Sequence, residues 1–130
     1  MYSFGRVSRK RLATCHSDLQ LVMNKAIEIY DFTILCGNRD ETAQNKAFDE
    51  GASKLQYPDS KHNSLPSTAV DIAPWPIDWL DIDEFFYLAG IVMTVASQLN
   101  IELQWGGRFK SLKDCPHFEL VNPDKDPRAR

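Results

Sequence analysis

The stretch AVDIA, residues 69–73, is short and alternating, and Pro74 and Pro76 stand at its end. Alternation is the mark of a strand, and a proline closes one because it cannot donate to the ladder. On such a strand Ala69, Asp71 and Ala73 share one face, and Val70 and Ile72 share the other. A carboxylate on an otherwise apolar strand is costly to bury unless it is paired or bound to a metal. The alternative is a second face that is simply wet, with Asp71 exposed, and the local sequence leaves both open.

Outward from this strand, helical and extended segments are mixed. Leu19, Val22, Met23, Ala26, Ile27 and Tyr30 recur at helical spacing, and Ser17 with Gln20 offers a capping box near the start. FTILC, residues 32–36, is β-prone and ends at Gly37; residues 41–50 read as a helix stopped by Gly51. Residues 52–66 are polar and turn-rich, which predicts a long surface loop. The longest helix is predicted over residues 83–99, capped by an aspartate and stopped near Asn100. Two further strands are expected at 101–105 and 117–121, and residues 122–130 read as a frayed tail. No βαβ rhythm is present. The expectation is an α+β fold, one small domain whose small antiparallel or mixed sheet is packed by helices.

Composition narrows the function. The chain has 130 residues, 43% of them hydrophobic and 25% charged, enough for one real core without metal or disulfide stapling. A net charge of −3 argues against a nucleic-acid binder. The local group Arg6, Arg9, Lys10 and Arg11 reads as a solvated helix start. Cys15, Cys36 and Cys115 are too few and scattered for a disulfide framework and suit a reducing compartment. The first residues lack the apolar core of a signal peptide, and no apolar stretch is long enough to span a bilayer. Synthesis in the cytoplasm, no stable membrane association and a monomer are expected.

Two of the three histidines stand in unusual company. His62 lies nine residues before Asp71, and His117 lies three after Asp114. Zinc takes imidazole nitrogen and carboxylate oxygen, and a catalytic site uses three protein ligands plus water. His62, Asp71 and His117 would supply that set from a loop and two strands. Taken singly, a histidine in a strand such as that of His117 is more often a satisfied core residue, and His62 suits an ordinary loop. His16 has no partner motif and reads as structural or exposed.

SKHNSLPSTAVDIAP (residues 60–74) followed by DCPHFEL (114–120) resembles the paired signature of the M15 family of metallopeptidases. That family comprises D-alanyl-D-alanine carboxypeptidases and dipeptidases and phage L-alanyl-D-glutamate endopeptidases. GNRDETAQ (37–44) resembles the segment carrying the family's arginine, and PIDWLDIDEFFYLAG (76–90) and LQWGG (103–107) resemble its phage-type members. The similarity runs over residues 12–121. It implies a Hedgehog/DD-peptidase-like fold and one zinc ion held by His62, Asp71 and His117. It also implies Asp114 as general base and Arg39 as the group steadying the developing negative charge. Without it, Arg39 reads as a surface ion pair to Asp40 or Glu41. Ser60, Gln44 and Trp105 take supporting or substrate-side roles. The implied substrate is the peptide of peptidoglycan, cut between L-alanine and D-glutamate in a phage lysis system in which a holin provides the route to the wall. A D-alanyl-D-alanine carboxypeptidase is the alternative within this chemistry; a catalytically silent zinc-binding recognition or virion structural module is the alternative of another class. Two features depart or compete. Arg108 and Phe109 follow Trp-Gly-Gly where many relatives have an acidic and an aromatic residue. Cys115 is a soft donor near His117, although a small buried thiol is its expected role. Trp75, Trp79 and Trp105 either line a groove or pack the core.

Overall fold

The computed structural model describes residues 1–109 and 113–123. In chain order the elements are α1 (Arg6–Leu12), α2 (Ser17–Ala26), β1 (Phe32–Cys36), α3 (Glu41–Asp49), β2 (Ala69–Pro74), α4 (Ile82–Gln98), β3 (Leu103–Trp105), a 3₁₀ turn (Gly106–Arg108) and β4 (His117–Leu120). The four strands form one sheet in the order β1-β2-β4-β3, and every pairing is antiparallel. The expected α+β architecture is therefore present, with the mixed-sheet alternative removed.

Burial explains the layering. Leu19, Val22, Met23 and Ala26 on α2 and Phe85, Leu88, Ala89, Val92, Val95 and Ala96 on α4 recur every three or four residues, so each helix turns one apolar stripe inward. These stripes meet Ile34, Val70, Ile72, Phe118 and Leu120 from the sheet, forming one continuous core. Asp71 stands out of register with that set. Ala69 and Ala73, which share its face, are nonetheless fully buried, so β2 is covered on both sides and the wet-face alternative does not hold.

The helix ends differ in detail from expectation. The predicted Ser17/Gln20 box does not form. His16 caps α2 instead, its Nδ1 accepting from the Asp18 N–H at 3.0 Å, while Gln20 Nε2 donates to the Cys15 carbonyl. His16 is thus buried and structural. Asp81 caps α4 through the Glu84 N–H, and the helix stops where Asn100 enters the left-handed region at φ 57°. The basic residues of α1 are exposed, as expected of a solvated helix. The tail expectation over 124–130 lies outside the described residues.

At Gly106 and Gly37 a side chain would run into neighbouring backbone. A Cβ on Gly106 would overlap the Asp114 carbonyl, and one on Gly37 would overlap the Arg11 carbonyl and the Thr14 hydroxyl. The first lets the 3₁₀ turn lie against the segment leading into β4; the second lets the end of β1 pack on the chain that follows α1.

Ile72 is fully buried between β1 and the helical layer. Ile72→Ala is expected to cost about 2–5 kcal/mol, read from the urea midpoint of unfolding at unchanged m-value.

A candidate metal centre in the cleft

The antiparallel register builds the site. Asp71 on β2 is paired with Cys36 on β1 and with His117 on β4. Directly paired residues of antiparallel strands project to the same side of the sheet. A β-bulge between Ile34 and Cys36 keeps this true of Cys36, because one extra residue shifts the alternation. Glu119, two residues beyond His117, follows on the same face. The sheet thus carries a polar row on the side opposite its helices.

His62 enters from the loop between α3 and β2. Its backbone is pinned by the Arg39 N–H, which donates to the His62 carbonyl at 2.7 Å, and by Ser60 Oγ, which accepts from the His62 N–H. Its Nδ1 lies 2.8 Å from the Gly37 carbonyl, so that nitrogen carries the proton and Nε2 faces the sheet. Nε2 is 3.3 Å from Asp71 Oδ1, yet it is buried and has no directed hydrogen bond. His117 Nδ1 lies 3.1 Å from the same oxygen. Its Nε2 lies 2.8 Å from Glu119 Oε1, and Lys61 Nζ holds the other oxygen of that carboxylate at 2.6 Å.

These donors suit a divalent cation such as zinc. Ligand atoms about 2.0–2.1 Å from a tetrahedral zinc lie roughly 3.3–3.4 Å from one another. Asp71 Oδ1 stands at 3.3 and 3.1 Å from the two imidazole nitrogens. An imidazole nitrogen left without a hydrogen bond in a buried place is what a ligand looks like before its ion arrives. Two overlapping ligand groups meet at Asp71, one with Cys36 and His62 and one with Asp114 and His117.

The electrostatics follow from crowding acids around two imidazoles. Burial opposes charging His62, but the adjoining Asp71 and Cys36 outweigh it and raise its pKa to about 10. Burial likewise opposes charging His117, and Asp71 and Glu119 raise it to about 9. Burial would push Asp71 upward, but both imidazoles hold it well below the usual carboxylate range. Asp114 is raised, by burial first and then by the charge of Asp71, against the pull of His117, His62 and Arg39.

Arg39 reaches it from the turn after β1. Its Nη2 lies 3.5 Å from Asp71 Oδ2, and its Nη1 donates to Gln44 Oε1 at 3.0 Å. The arginine therefore turns into the cleft rather than pairing with Asp40 or Glu41. Asp40 instead caps α3 by accepting from the Ala43 N–H. Gln44 is fully buried and fixed by Ser53, Leu55 and Asn63, which makes it the mount for Arg39.

The whole lies in a cleft of roughly 510 Å³, lined among others by Arg39, Lys54, Ser60, His62, Asp71, Trp79, Phe109, Asp114, His117 and Glu119. Of the three tryptophans, only Trp79 lines it. Trp105 instead donates from Nε1 to the Cys115 carbonyl at 2.8 Å and so braces the turn that carries Asp114. Cys115 is half-buried rather than buried and belongs to neither ligand group; the thiol that does is Cys36. Phe109, at the departure after Trp-Gly-Gly, places its ring 5.7 Å from that of His117, while Arg108 is exposed. Sequence reasoning missed Cys36, Glu119 and Lys61. Only Glu119 had a signal, an acid two residues from a histidine on one strand face.

The family model described as phage L-alanyl-D-glutamate peptidase matches residues 1–121. The L-alanyl-D-glutamate peptidase of Escherichia phage T5 is 36% identical over 126 residues, covering 92% of this chain and 89% of that protein. The crystal structure of the Serratia marcescens L-Ala D-Glu endopeptidase ChiX, 29% identical, superposes with a TM-score of 0.78 over 92% of this chain and 91% of that one.

The raised imidazole pKa values fix a sign. A group with a raised folded pKa contributes stability fully below its ordinary value, here 6.5, and loses it as pH rises through the folded value. Chelator-treated protein is therefore expected to fall in Tm between pH 6.5 and pH values of about 9 to 10. Asp71→Asn should flatten most of that fall; a wild-type Tm indifferent to pH over this window contradicts the coupling.

Proposed function

Because the chain belongs to the phage L-alanyl-D-glutamate peptidase family, we propose that it is a zinc-dependent endopeptidase cutting peptidoglycan stem peptides between L-alanine and D-glutamate. The observation that carries this is the meeting of two imidazoles on one carboxylate oxygen, with the buried Nε2 of His62 lacking a hydrogen bond. His62, Asp71 and His117 would hold the metal. When bound, zinc supplies Lewis acidity at the scissile carbonyl and lowers the pKa of its water toward neutrality.

The remaining work falls to the chain's own groups. Asp114, half-buried beside the ligands, takes the proton of the attacking water and passes it to the leaving amine. Its raised pKa suits it to both halves of that transfer. Arg39, held in direction by Gln44, faces the place where negative charge develops on the carbonyl oxygen. Glu119 accepts the Nε2 proton of His117 and leaves Nδ1 for the ion, while Lys61 steadies Glu119. Trp79 and Phe109 give the peptide an apolar wall. Action as a monomer, reaching the wall through a holin, belongs to the same reading. No helix among the described residues is long and apolar enough to cross a membrane.

The direct test is digestion of purified peptidoglycan with mapping of the new amino termini. D-glutamate as the new terminus supports the reading; release of free D-alanine makes it a carboxypeptidase; no cleavage by zinc-loaded protein favours the silent binding module. Asp114→Asn should keep its zinc by elemental analysis while kcat falls about 10²–10⁴-fold. Glu119→Ala should weaken metal retention about 10–100-fold in chelator competition. Glu119→Gln, whose carbonyl still accepts the imidazole proton, should restore most of it.

A further inference from the structure

Cys36 belongs to the polar row yet has no part in the mechanism derived for the cleft. Its Cα is paired with that of Asp71 across β1 and β2, on the side of Asp71 away from His117. Its Sγ, a ring nitrogen of His62 and an Asp71 oxygen all lie within 4.8 Å of one another. It makes a weak hydrogen bond to the neighbouring Gly37 carbonyl, 3.5 Å away, and interacts with the His62 side chain. A thiol that merely filled space would be expected among apolar side chains. This one stands between an imidazole and a carboxylate, both of which are ligand types. The independent observation is His62 Nε2, a nitrogen on a side chain only 3% exposed, which lacks a hydrogen bond and lies 3.3 Å from Asp71, a member of the same group.

Given a cation at this site, as in the proposed function, we propose that Cys36 is a further protein ligand to it, binding as thiolate beside His62 and Asp71. On binding, the sulfur–metal bond forms and the thiol proton leaves to solvent. A thiolate favours zinc, cadmium or cobalt over the hard cations magnesium and calcium, so the pocket selects thiophilic metals. It also alters the coordination count. Structural zinc sites are closed by four protein ligands, whereas catalytic ones keep a position for water. Cys36 and His117 stand on opposite sides of Asp71 and share no ligand group, so the thiolate would join the donor set on its His62–Asp71 side. The β-bulge before Cys36 is the device that brings it into the row, since unbroken alternation from Ile34 would pair its neighbour with Asp71.

Cobalt(II) is the probe, added in one equivalent to chelator-stripped full-length protein. Wild type should show visible d–d bands together with a strong near-ultraviolet thiolate-to-cobalt charge-transfer band. Cys36→Ala should keep the d–d bands and lose the charge-transfer band, whereas Cys115→Ala should keep both. Visible bands without charge transfer in wild type, or a charge-transfer band that persists in Cys36→Ala, overturn the assignment of Cys36 and leave the remaining ligand set standing. A wild type that binds no cobalt overturns both. Should Cys36→Ala fail to fold, cadmium-113 NMR of wild type decides the point without a variant. A resonance displaced downfield by sulfur ligation supports the assignment, and one in the range of nitrogen and oxygen ligands alone overturns it.

Discussion

Asp71 is the residue on which the arrangement turns. It occupies the middle of a central strand and is opposed on one side by Cys36 and on the other by His117. Its carboxylate is the common contact of His62, His117 and Arg39. A carboxylate with so little access to water is tolerable only with compensating positive charge. The pocket supplies that charge through protonated imidazoles and Arg39, or through a divalent cation in their place. The same requirement explains why so many polar groups face one another on the side of the sheet away from the helices.

The rest of the fold serves to hold these groups still. The helical layer buries Val70, Ile72, Phe118 and Leu120, which fixes the register of β2 against β4; slippage by one residue would turn Asp71 into the core. His62 has no strand to fix it, and its loop is held instead by backbone bonds to Arg39 and by the Gly37 carbonyl. Gly106 and Trp105 secure the turn bearing Asp114 from the other side. These polar groups thus come from four separate segments: the turn after β1, the loop of His62, β2, and the stretch from Asp114 to His117.

The likeness to phage L-alanyl-D-glutamate peptidases covers nearly the whole chain, so the scaffold is that of the family. At the margins of the site stand a thiol beside Asp71 and Phe109, set against His117. Both sit where they can alter how the cleft holds a metal or meets a peptide while leaving the fold untouched.

Much was legible in the sequence because it is a local property. Helical spacing located α2, alternation located β2, and the resemblance of two separated motifs to a known family pointed to His62, Asp71, Asp114 and His117. The capping of α2 was misassigned because a histidine and a serine compete for the same place, and only packing chooses between them. What tertiary structure alone decided was pairing. No spacing rule connects Cys36 with Asp71 or Lys61 with Glu119, since those distances are set by sheet register and by the path of a loop. Residue type marks which side chains are able to bind a cation; the neighbours each one meets depend on hydrogen bonds formed between strands far apart in the chain.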